Sequence, residues 1–126
     1  MKLHVRTYRI GSPREKSEGL RIGAVRFLPR GVKKSDYSKY DYFDLWLPLV
    51  APSRELLKSF TSGKISAAQF FRAYRTEMRL PAVRHLLELL AKVAQRTPIL
   101  VGCYCEDETR CHRSVLIELI RTEGNR

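Results

Sequence analysis

Ile99-Leu100-Val101-Gly102-Cys103-Tyr104, running on into Cys105-Glu106-Asp107-Glu108-Thr109-Arg110-Cys111-His112-Arg113, is the stretch on which the reading of this chain turns. Its first six residues are apolar or small and follow Thr97-Pro98. They lack the alternation of a half-exposed strand and suit a central strand covered on both faces. The run ends at Cys105, and an acidic loop at Glu106-Asp107-Glu108 leads into a helix expected from about Arg110 to Arg121, with Val115, Leu116, Leu119 and Ile120 inward. In open α/β sheets this order matters, because ligands bind beyond the carboxyl ends of strands. A helix that starts there offers free backbone N–H groups and the positive end of its dipole.

Upstream, Pro81 fits the first turn of a helix. Val83, Leu86, Leu87, Leu90, Val93 and Ala94 then follow at i, i+3, i+4 and i+7, the strongest periodic signal in the chain. Ser66 with Gln69 three residues on forms a capping box, opening a helix with Phe70, Tyr74 and Met78 on one face. Ser53 caps a shorter helix over Arg54 to Thr61, which Gly63 stops. Tyr42 to Leu49 is apolar but contains Pro48, so strand and short helix both fit. Gly31 to Asp41 has no period and reads as surface loop. Leu3 to Ile10 and Ile22 to Leu28, bounded by Gly11-Ser12-Pro13 and by Pro29-Arg30-Gly31, read as strands.

These elements fit one domain over residues 1–126, of α/β class. The expected architecture is a layered sandwich with a small, partly parallel sheet flanked by helices. No stretch reaches the roughly 20 apolar residues of a membrane helix, since Glu88 and Lys92 interrupt Leu86 to Val93. The start of the chain alternates charged and apolar residues, unlike a secretory signal. Three cysteines within nine residues do not make a disulfide framework, so a reducing, cytoplasmic setting is expected.

Of the net charge of +11, most sits in residues 1–40, which hold 11 Lys/Arg against 3 Asp/Glu. Such a half attracts phosphate-bearing partners, nucleic acid included, although scattered basic residues equally make an ordinary soluble surface. No helix-turn-helix, RNA-recognition or zinc-finger signature accompanies it, and neither G-x-G-x-x-G nor G-x-x-x-x-G-K-[ST] occurs.

The residues equipped for chemistry cluster between Cys103 and Arg113. Cys111 at a helix N-terminus, flanked by Arg110, His112 and Arg113, can act as a thiolate nucleophile, with His112 as base and Arg113 as anion clamp. The acidic loop opposes that thiolate if it lies near. Cys103, Cys105, Cys111 and His112 form a Cys3His set of the kind zinc accepts, but Cys111 and His112 are adjacent and diverge at a helix start. Cys105 and Cys111 can instead close a reversible disulfide. In the plainest reading Cys103 is a small core residue and the others line a loop. Arg26 and Arg30, around Pro29, can place two guanidiniums at the end of the second strand for bidentate contact with phosphate or carboxylate. Trp46, Tyr42 and Phe43 make either a base-stacking platform or core.

Several segments resemble the YeaO-like proteins of the domain of unknown function 488 (DUF488). They are Phe27-Leu28-Pro29-Arg30-Gly31, Leu49-Val50-Ala51-Pro52-Ser53 with Glu55-Leu56 and Phe60, and Phe71-Arg72 with Tyr74 and Glu77. Cys103-Tyr104-Cys105-Glu106 with Cys111-His112-Arg113-Ser114 is similar to the C-x-E and C-H-R stretches of the wider family. Val25 and Leu28 depart from the acidic residue and Trp of the usual family pattern. The resemblance implies an α/β fold and a site at the cysteine segment, with the chemistry open.

The expectation is an intracellular domain that binds an anionic small molecule at Cys105 to Arg113. Cys111, His112 and Cys105 are its reactive groups, and Arg113, Ser114, Arg26 and Arg30 its ligand-binding groups. No cofactor is expected in that reading, zinc belonging to the alternative. A nucleic-acid module built on the basic half is the rival, with a scaffolding role as a third class.

Overall fold

A computed structural model describes residues 3–105 and 111–125. The acidic loop Glu106 to Glu108, and Arg110 as the start of the last helix, lie outside the described residues. Among the described residues four strands, β1 (Val5–Arg9), β2 (Leu20–Gly23), β3 (Leu45–Trp46) and β4 (Ile99–Cys103), form one sheet in the order β1-β4-β2-β3. Every pairing is parallel: Val5 stands opposite Ile99, Leu20 opposite Ile99, and Ile22 opposite Leu45. The sheet is thus wholly parallel, and its strand carboxyl ends share one edge. β4, buried at all five positions, is the inner strand that its uninterrupted apolar run predicts.

The helices are α1 (Arg54–Thr61), α2 (Ala67–Glu77), α3 (Pro81–Ala94) and α4 (His112–Gly124). Ser53 caps α1 by accepting from the Leu56 N–H, and Ser66 and Gln69 complete the capping box of α2. Tyr42 to Leu49 resolves into both of its readings, a two-residue strand at Leu45–Trp46 and then a 3-10 turn at Pro48–Val50. The second strand lies earlier than its apolar residues suggest. It covers Leu20–Gly23, and Val25 to Leu28 continue past the sheet edge.

All four helices contribute to one core cluster that includes Ile22, Ile99 and Val101 of the sheet with Phe70, Tyr74, Leu87, Leu116 and Ile120. A smaller cluster on Tyr8, Val25, Tyr37, Phe43 and Leu100 is closed by Val32, Tyr42 and Trp46, so loop segments cover it. Phe43 is buried and the Trp46 indole Nε1 donates to the Val25 carbonyl at 2.7 Å, which makes this aromatic group core rather than an open platform. Paired Gly23 and Gly102 let it form, because a Cβ on either would run into the Phe43 or Tyr8 ring. Among the described residues no helix is long and apolar enough to cross a membrane.

Candidate functional site

β2 and β4 are neighbours and end at the same edge, where α4 begins. A cavity of about 520 Å³ opens there, within the size range of small-molecule sites. Cys103, Cys111 and His112 stand at one part of its wall. Phe27, Leu57, Phe60 and Phe70 give it an apolar lining, and Arg26, Arg54 and Lys58 bring positive charge to it. Tyr104 and Cys105 complete the β4 side.

Three segments hold this wall in place. Tyr74 donates from its hydroxyl to the Val50 carbonyl at 2.6 Å, and the Glu77 carboxylate accepts from both the backbone N–H and the hydroxyl of Ser53. Arg26 donates from Nε to the Pro52 carbonyl at 3.1 Å and from a terminal nitrogen to the Ala51 carbonyl at 3.2 Å. The turn before α1 is therefore clamped from α2 and from the segment after β2, and Arg54 of α1 lies 5.2 Å above the Phe27 ring. Burial, with the Tyr37 and Tyr42 hydroxyls adding to it, pushes the Tyr104 phenol up to about 12. It stays protonated and donates to the Phe27 carbonyl at 3.0 Å.

The Cys103, Cys111 and His112 side chains are buried. The sulfurs of Cys103 and Cys111 are joined as a disulfide, and the His112 Nδ1 lies 3.7 Å from the Cys111 sulfur. His112 Nε2 stands 2.6 Å from the Ala24 carbonyl, which can only accept, so Nε2 carries the proton and Nδ1 a lone pair. Burial pushes this imidazole down to about 4, with the Arg113 charge adding to the fall and the Ala24 carbonyl opposing it. It is neutral at neutral pH.

Cys111, His112, Cys105 and Arg26 all line the cavity. Arg113 does not: it is 4% exposed and turned inward, donating to the Tyr8 carbonyl at 2.8 Å with the same nitrogen 3.7 Å from the Cys103 sulfur. Ser114 bonds back to the Cys111 carbonyl at 2.9 Å, as a hydroxyl in a first helical turn commonly does. Arg30 is exposed in the loop after β2, away from the cavity lining, so the two guanidiniums around Pro29 do not act together there. Cys105 is free and exposed, and Cys111 is bonded to Cys103, which displaces the Cys105–Cys111 bridge. Cys105 also stays out of the potential metal-binding set, which is Cys103, Cys111 and His112. Arg54 and Lys58 are given no site role in the sequence, because an amphipathic helix does not announce which of its surface residues will face a sheet edge.

The fold and the site define a single parallel α/β domain with a cysteine- and histidine-bearing cavity at the carboxyl edge of its strands. Residues 5–124 match the family described as the active DUF488-N3 subclade, DUF488-N3a, and the chain belongs to the DUF488, YeaO-like family. A curated relative is the uncharacterized protein YeaO of Escherichia coli (strain K12), 30% identical over 122 residues, which span 95% of this chain and 99% of the relative. No solved structure matches the chain significantly.

Proposed function

We propose that the cavity at the ends of β2 and β4 binds a small molecule with an apolar body and an anionic group, phosphate or carboxylate. The observation that carries this reading is the cavity's composition: an apolar lining from Phe27, Leu57, Phe60 and Phe70, with Arg54 and Lys58 on the facing helix. An apolar wall with a few placed charges is how ligand sites combine affinity with orientation. The start of α4 adds backbone N–H groups and a favourable dipole end. Arg26, already bonded to two carbonyls, serves as a wall-former more than as a free clamp. Arg113 and Ser114 support the site from behind, and Cys111 and His112 supply its reactive face.

Phenyl phosphate, a ring joined to a dianion, is the probe that matches this chemistry. Calorimetric titration is expected to show saturable binding that Lys58→Glu weakens about 10-fold or more, since a hydrogen bond to a charged group contributes about 1.5–3 kcal/mol. Undiminished binding in Lys58→Glu and Arg54→Glu would overturn the reading. Nucleic acid is the rival that the basic first 40 residues suggest. Its mark is affinity for single- or double-stranded DNA that falls steeply with salt, with no phenyl phosphate binding in the cavity.

A further inference from the structure

We propose that Cys103, Cys111 and His112 form a binding site for a soft or borderline divalent cation such as zinc, with a coordination position left open to the cavity. The proposal rests on these three donors alone and goes beyond the ligand reading.

The two sulfurs and a histidine nitrogen lie within 4.8 Å of one another, and all three residues are buried. Two thiolates and one imidazole make a Cys2His set, a known form of three-residue zinc site that keeps a fourth position for water or ligand. The surroundings fit as well. A ligating histidine usually passes its second ring N–H to a carbonyl or carboxylate, which fixes the tautomer. His112 is arranged so, with Nε2 on the Ala24 carbonyl and Nδ1 toward the Cys111 sulfur. Arg113 lies 3.7 Å from the Cys103 sulfur and is held there by its bond to the Tyr8 carbonyl.

The structure joins Cys103 and Cys111 as a disulfide, so the metal-binding form is the reduced pair, and the backbone spacing favours that form. The Cα atoms of Cys103 and Cys111 are 7.7 Å apart, whereas disulfides usually span about 4.4–6.8 Å. A tetrahedral ion with bonds to sulfur of about 2.3 Å holds its sulfurs about 3.8 Å apart, which suits the wider spacing. All three residues line the cavity, so the remaining position faces the space in which a ligand would sit. The metal would then meet an anionic oxygen directly, a consequence that depends on the ligand reading as the metal site itself does not.

The test is elemental analysis of protein produced with added zinc and purified under reductant without chelators, followed by cobalt(II) substitution and absorption spectroscopy. Stoichiometric zinc is expected, and cobalt should give a thiolate charge-transfer band with the intense visible bands of a tetrahedral site. Cys111→Ser should abolish both, while Cys105→Ser leaves both intact. Circular dichroism of Cys111→Ser confirms that the loss is local; if that variant unfolds, the spectrum of the cobalt-loaded Cys105→Ser protein decides. Metal-free reduced protein without a cobalt band, or loss of metal on Cys105→Ser, would overturn the proposal. Phenyl phosphate binding by protein that takes up neither zinc nor cobalt would leave the cavity reading standing while the metal proposal fails.

Discussion

The Arg21 guanidinium lies beneath the loops that close the smaller core cluster, 1% exposed, and it accounts for much of how those loops are held. It pairs through Nε with the Glu18 carboxylate, donates to the carbonyls of Ser12 at 2.7 Å, Asp41 at 2.6 Å and Pro13 at 3.2 Å, and sits 4.5 Å above the Tyr8 ring. A buried charge is tolerated when it is paired and each of its nitrogens is hydrogen-bonded in this way. Nearby, Asp44 accepts two hydrogen bonds from Arg14, each at 3.0 Å, and one from the Arg21 backbone N–H at 2.9 Å. Burial alone would raise the Glu18 and Asp44 carboxyls, but these hydrogen bonds and the neighbouring arginines outweigh it and hold both below the ordinary range. Both groups bind protons less readily folded than unfolded. Their contribution is complete above the unfolded carboxylate range of about pH 4 to 4.5 and is lost as pH falls through the depressed folded values. Urea denaturation across pH 3 to 7 should show stability dropping on the acid side, with a shallower drop in Glu18→Gln. An acid limb unchanged by Glu18→Gln would refute this assignment.

β4 gathers the demands of its neighbours, pairing with β1 on one side and β2 on the other while ending at the site. Gly102 is the position where those demands meet, because the Tyr8 ring covers its Cα. Gly102→Ala should cost about 1–3 kcal/mol, the usual range for forcing extra volume into a packed interior. Thermal unfolding with native circular dichroism retained would measure it, and an unchanged midpoint would show that the ring yields freely. Elements whose signals are local were legible in advance: the Ser53 and Ser66 caps, the α3 periodicity and the apolar run of β4. β2 ends earlier than its apolar residues suggest because Val25 and Phe27 have strand-like side chains but serve the smaller core and the cavity instead. Arg21 gave no sign of its burial, since its partners at Ser12, Pro13 and Asp41 come together only through tertiary folding. The cysteine segment lies at the carboxyl end of β4, but spacing did not reveal that Cys103, not Cys105, is bonded to Cys111. The family-like residues Tyr74 and Glu77 have a structural account: they hold the turn that walls the cavity.

At the scale of the whole molecule, a parallel sheet gathers all its strand ends at one edge, and the cavity lies where two of those ends meet a helix start. In the proposed reading, charge on the first 40 residues and on α1 would bias the molecule toward anions, with specificity left to the cavity itself. The measurement that tests this most directly is a phenyl phosphate titration of isotope-labelled protein, followed by backbone amide shifts in solution NMR at moderate salt. The account predicts saturable shifts concentrated at Phe27, Leu57 to Thr61, Tyr104 and the first turn of α4. Shifts spread over the basic N-terminal half and erased by salt, with those positions unmoved, would contradict it.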